Sequence, residues 1–157
     1  MKFLLIQLRR IGDVLMTTPA IRLLRESYPD ADLTFLTESP SDQVLNENPN
    51  LQEILLYRKP ESIVESIRFF LNLRSRKFDC VIDFHGNPRS ALMTRFSGAP
   101  MRIGFDFRGR SLAYTHPVKI SGKVTYSAAD KAQLLRPLGI SASDFRLDFF
   151  PEEKDQI

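Results

Sequence analysis

A chain of 157 residues, 43% apolar and 26% charged, has the composition of one folded domain with a true core, not of a disordered segment. Its single cysteine, Cys80, excludes an internal disulfide framework and a cysteine-built metal cluster. The N-terminal run Phe3-Leu4-Leu5-Ile6 is far shorter than the ~20 apolar residues of a membrane span and too short for a signal peptide, so a cytoplasmic protein is expected.

Phe3 to Leu8 reads as a buried first strand that runs into the loop Arg9-Arg10-Ile11-Gly12. A helical pattern follows from Val14 to Tyr28. Pro19 either kinks it or opens a second helix capped by Thr18. Leu33–Thr37 is the second strand, Ser41–Asn46 a short helix and Glu53–Tyr57 the third strand. Glu61–Leu73 is a helix with Ile63, Ile67, Phe70 and Leu71 on one side. Cys80–Phe84 is the fourth strand, and a helix runs from about Arg89 to Phe96. Arg102–Phe105 is the fifth strand, Val118–Ile120 a candidate sixth, and Ala128–Leu138 a last helix closed by Gly139.

Strands alternating with helices predict βαβ units. The expected fold is an α/β, Rossmann-like, doubly wound and mainly parallel sheet over residues 1–150. Ligands of such sheets bind outside the strand carboxyl ends. That rule selects three loops: Arg9–Asp13, Phe84–Arg89 and Asp106–Arg110.

Charge adds to this. Arginine outnumbers lysine by about two to one, and its planar fork suits phosphate and carboxylate. Basic residues dominate from Arg74 to Arg110, while the chain end is acidic. The loop after the first strand lacks the three glycines of a dinucleotide fingerprint and the Gly-Lys-Ser/Thr of a P-loop, so a nucleotide is not expected there. By position alone, Asp13 is a helix N-cap. Two histidines without cysteine partners make no metal site.

The string Gly12-Asp13-Val14-Leu15-Met16-Thr17-Thr18-Pro19-Ala20 after a first strand resembles the N-terminal signature of glycosyltransferase family 9, the heptosyltransferases. Asp83-Phe84-His85-Gly86 with Arg89-Ser90, Arg102-Ile103-Gly104-Phe105-Asp106 with Arg110, and Leu134–Gly139 resemble its later segments in order. Tyr126 departs from the family's frequent histidine.

The resemblance implies one half of a two-domain GT-B glycosyltransferase. In that arrangement the N-terminal domain holds the sugar acceptor and the C-terminal domain holds ADP-heptose, the donor substrate; no cofactor is required. It makes Asp13 the catalytic base of an inverting transfer. It makes Arg9, Arg10, Gly12, Arg58, Lys59, His85, Arg89 and Arg110 candidates for binding the acceptor, the lipopolysaccharide inner core as Kdo-lipid A or its heptosylated form. Residues 151–157 would start the interdomain linker, with the donor domain outside this sequence. Phe69 and Phe70 with nearby basic residues offer a peripheral contact with the cytoplasmic face of the inner membrane.

Two rivals remain at this level. A receiver-like regulatory domain would use Asp13 and Asp83 as an acidic phosphoacceptor pocket. A nucleic-acid binder would use the basic surface of a chain with pI near 9.2, but the interleaved aromatics of a stacking platform are missing.

Overall fold

A computed structural model describes residues 1–107, 109–120 and 127–152. Six strands, β1 (Lys2–Ile6), β2 (Asp32–Thr37), β3 (Glu53–Leu56), β4 (Cys80–Asp83), β5 (Met101–Phe105) and β6 (His116–Val118), form one sheet. Their order is β3-β2-β1-β4-β5-β6 and every pairing is parallel. The chain moves outward from β1 to β3, then returns to the other side of β1 through β4. The order therefore reverses between β1 and β4, the place where doubly wound sheets bind ligands.

Helices α1 (Ile11–Leu15), α2 (Thr18–Ser27) and α5 (Ala128–Ala132) cover one face of the sheet; α3 (Ile63–Ser75) and α4 (Pro88–Phe96) cover the other. The strands are apolar throughout because both faces are covered. Alternation along β1 shows this directly: Phe3 and Leu5 join the core beneath α2, Leu4 and Ile6 the core beneath α3 and α4. Cys80 sits in the first core as a small apolar residue, and burial followed by the charge of Asp79 pushes its thiol pKa up to about 12.

Three expected elements come out differently, and at Pro19 the second of the two alternatives holds apart from its cap residue. The helical pattern from Val14 to Tyr28 is two helices, because Pro19 has no N–H to give the Leu15 carbonyl. The Thr18 hydroxyl donates to that oxygen instead at 2.8 Å, and Thr17 does the same for Val14 at 2.6 Å. The cap position of α2 is Thr17 rather than Thr18. The last helix is α-helical only to Ala132 and then tightens into a 3-10 turn over Gln133–Leu138 that contains Pro137 and ends, as expected, on left-handed Gly139. The sixth strand is His116–Val118, two residues earlier than expected. Finally, the apolar side of α3 is divided, with Leu73 buried and Ile63, Ile67 and Leu71 exposed.

From Ser141 to Glu152 the described chain has no regular structure; it reaches α2, where Arg22 pairs with Asp148 and the Asp148 N–H donates to Thr18 Oγ1 at 2.9 Å. Tyr126 and most of the expected linker, residues 153–157, lie outside the described residues.

Candidate active site

The site begins with a distorted loop. Arg10, at the entrance to α1, has φ +68°, a region that side chains with a Cβ rarely occupy. Backbone strain of this kind costs on the order of 1–3 kcal/mol and persists only where surrounding structure fixes it. The distortion turns the chain directly into α1, so that Asp13 stands inside the first turn. Asp13 is therefore not the N-cap that its position suggests: Arg10 occupies that place, and no side chain caps this helix. The Asp13 carboxylate, half-buried, faces a pocket of about 390 Å³ lined by Gln7, Arg9, Arg10, His85 and Lys131.

Three of those residues form a connected unit. Lys131 is 2% exposed, and its Nζ donates to Gln7 Oε1 at 2.7 Å and to the Phe84 carbonyl at 3.3 Å. With Oε1 so engaged, the Gln7 amide nitrogen lies 2.8 Å from His85 Nδ1, which also accepts the Leu8 N–H at 3.2 Å. Two donors on Nδ1 fix the neutral tautomer that carries its proton on Nε2. Burial, then the charges of Lys131 and Arg9, lower the His85 pKa to about 4. Burial likewise lowers Lys131 to about 8, against the opposing pull of Asp13 and then Asp83.

A pH dependence follows. As pH falls, the unfolded chain protonates His85 near 6.5 and the folded chain only near 4. The contribution of neutral His85 is thus present above pH 6.5 and lost as pH falls toward 4. Part of the ring stays in solvent, so about 2 kcal/mol is expected after screening. Denaturant titrations of wild type and His85→Asn across this range check it; parallel curves contradict it.

Behind His85, Asp83 is fully buried at the end of β4. Its Oδ1 accepts the N–H groups of His85 and Gly86, each at 3.0 Å, and its Oδ2 accepts the hydroxyls of Ser90 at 2.9 Å and Tyr114 at 2.6 Å. Desolvation raises its pKa while these four bonds oppose the shift. Ser90 in turn completes a capping box with Asn87 at the start of α4. The Asp83–Ser90 string thus builds the loop that presents His85.

Gly104 in β5 belongs to the same device: a Cβ there would lie 2.2 Å from Tyr114 Cζ. Gly104→Ala should displace the Tyr114 ring from Asp83 and cost about 3 kcal/mol. Unfolding in urea measures it, and a change below about 0.5 kcal/mol contradicts the packing described.

Two further cavities flank the Asp13 pocket. One, of about 400 Å³, is lined by Arg9, Glu38, Ser39, Tyr57, Arg58, Lys59 and Arg89. Arg89 lies 3.6 Å from Glu38 and over the Tyr57 ring at 5.6 Å. The other, of about 240 Å³, is more apolar and includes His85, Gly86, Phe105, Asp106 and Phe107. Arg9 is common to the first pair of cavities and His85 to the second pair.

Of the residues singled out from sequence, Asp13, Arg9, Arg10 and His85 meet in one pocket, and Arg58, Lys59 and Arg89 join Arg9 in the next. Gly12 is exposed, with nothing within 4 Å of a Cβ placed there, and lines neither cavity. Arg110 opens a short 3-10 turn, but its side chain is outside the described residues. Sequence reasoning missed Gln7 and Lys131. The signal for Lys131 was present: it falls in helical register with the buried Ala128, Leu134 and Leu135.

The receiver-like reading fails on this geometry. Asp83 spends its oxygens on four donors inside the protein, and the six-stranded order differs from the flavodoxin-like one.

Fold and site together define a Rossmann-like domain with a carboxylate and several cations at the switch point of its sheet. Residues 66–144 match the family model described as glycosyltransferase family 9 (heptosyltransferase), half of the chain, and the chain belongs to that family. It is 30% identical to lipopolysaccharide heptosyltransferase 3 of Escherichia coli K12 over 90% of this chain and 43% of that protein. A second Escherichia coli protein of the same name is 28% identical over 83% of this chain and 41% of its own length. The chain therefore spans about two fifths of the curated relatives it matches. Among solved structures, a family 9 glycosyl transferase of Veillonella parvula superposes with a TM-score of 0.74 at 26% identity, over 98% of this chain and 45% of that one. The E. coli heptosyltransferase WaaC with ADP-2-deoxy-2-fluoro heptose has a TM-score of 0.78 at 21% identity, over 94% and 51%, and supports the GT-B type of fold.

Proposed function

We propose that this chain is the acceptor-side half of an inverting heptosyltransferase that carries heptose from ADP-heptose to the lipopolysaccharide inner core. The observation that carries this reading is the Asp13 carboxylate in a cation-rimmed pocket, joined through Arg9 to the Arg58–Lys59–Arg89 cavity. Several cations around one carboxylate suit an acceptor that bears both hydroxyls and anionic groups. Arg9, Arg58, Lys59 and Arg89 hold the carboxylates or phosphates of the acceptor, the arginines by paired N–H bonds. His85 offers its Nε2–H, and the Lys131 charge balances the Asp13 carboxylate.

In the transfer, Asp13 takes the proton from the acceptor hydroxyl as that oxygen attacks the anomeric carbon. The bond from that carbon to the ADP phosphate breaks on the opposite side, so the configuration inverts and no covalent enzyme intermediate forms. The donor site belongs to a second domain, outside residues 1–157. The reaction runs in the cytoplasm, where a lipid-linked acceptor lies at the inner-membrane surface.

The test joins this half to a donor-binding half in one enzyme and follows ADP release with ADP-heptose and a Kdo-containing acceptor. ADP release that depends on the acceptor, with inverted product, supports the reading. Release with sugar acceptors lacking anionic groups, at the same efficiency, contradicts it.

A further inference from the structure

The apolar residues of α3 point two ways. Phe69, Phe70 and Leu73 face the core shared with β1 and β4. Ile63, Val64, Ile67 and Leu71 instead remain 79%, 62%, 53% and 62% exposed. At helical spacing these four fall within one stripe about 100° wide. On α4, Leu92 and Phe96 stand one turn apart and are also exposed. The Phe96 ring lies 5.9 Å from the ring of Phe70, so the two helices meet beside these exposed residues. Soluble domains rarely leave an exposed apolar helix stripe of this kind without a partner.

The charge around the patch identifies the partner. Arg58, Lys59, Arg68, Arg74 and Arg95 are exposed, and none forms an ion pair among the described residues. Against them α3 and its approach carry only Glu61 and Glu65. An aliphatic stripe edged by free cations matches an anionic bilayer, where aliphatic groups enter the acyl boundary and cations meet headgroups. A second copy of the chain would instead set like charge against like. The position also fits: α3 starts from the turn after β3 that carries Arg58 and Lys59, which line the basic cavity.

We infer that the outer face of α3, with Leu92 and Phe96 of α4, docks on an anionic lipid bilayer and sets the basic cavity at headgroup level. This deepens the proposed function and rests on its lipid-linked acceptor. It also replaces Phe69 and Phe70, the contact expected from sequence, with residues that face outward.

Flotation of the 157-residue chain with vesicles tests it. The chain should rise with vesicles containing phosphatidylglycerol at low salt, rise less as salt increases, and stay down with phosphatidylcholine alone. The double variant Ile67→Asp, Leu71→Asp alters exposed positions only, so its circular dichroism should match wild type while its partition falls about tenfold or more. A chain that ignores anionic vesicles at low salt overturns the inference, as does a folded double variant that floats like wild type. Sedimentation showing self-association abolished by the same variant, with vesicles ignored, assigns the patch to a second copy and overturns it too. No sugar is present in the assay, so its failure leaves the transfer reading standing.

Discussion

Asp13→Asn should lower turnover by about 100-fold or more in an enzyme that joins this half to a donor domain, with little change in acceptor KM. The change is nearly isosteric and removes only the ability to take a proton, a role typically worth 10²–10⁴ in rate. The fold has little stake in the carboxylate: Asp13 caps no helix and stands half-buried at the pocket wall. Loss of kcat with KM preserved is the signature of an interaction made in the transition state. Steady-state kinetics with saturating ADP-heptose reads it. Near-normal turnover would make Asp13 a structural residue of the first helix.

Asp83 should behave in the opposite way, as a residue of stability. Asp83→Ala strands two backbone N–H groups and two hydroxyls around a fully buried position. Leaving buried donors without partners costs on the order of 1–3 kcal/mol each, and the hydroxyls recover part by turning elsewhere, so a loss of about 3–5 kcal/mol is expected. Asp83→Asn should cost far less: its carbonyl oxygen still serves His85 and Gly86, while Ser90 and Tyr114 rotate their hydroxyls to accept from the amide. Urea midpoints of the two variants separate the cases. Equal losses for Asn and Ala would mean that the charge of Asp83, not its hydrogen-bonding capacity, holds the loop.

Much of this was legible in the residues because local signals agreed with the fold. Apolar runs such as Cys80-Val81-Ile82 mark strands buried on both faces, and the Gly139 stop and the Asn87-Pro88 start mark helix ends by turn chemistry. Arg58, Lys59 and Arg89 line one cavity because each comes after the carboxyl end of a strand. What escaped depends on tertiary contact. The role of Lys131 requires the return of α5 to β1, more than a hundred residues away, where Gln7 waits. Gly104 looks like a flexible strand residue until the Tyr114 ring fills its place. The outward turn of Ile63 and Ile67 is hidden because periodicity finds an apolar stripe without saying which of two stripes the sheet will cover. The strain at Arg10 carries no sequence signal, since arginine is not a residue that favours positive φ.

Whether these 157 residues hold the acceptor and not the nucleotide sugar is read by NMR titration of the chain with a soluble Kdo-containing inner-core oligosaccharide and, separately, with ADP-heptose. Resonances around Asp13, Arg58 and Arg89 should shift with the oligosaccharide, and none should shift with ADP-heptose. Shifts with ADP-heptose alone, or with neither ligand, would contradict the acceptor-side reading.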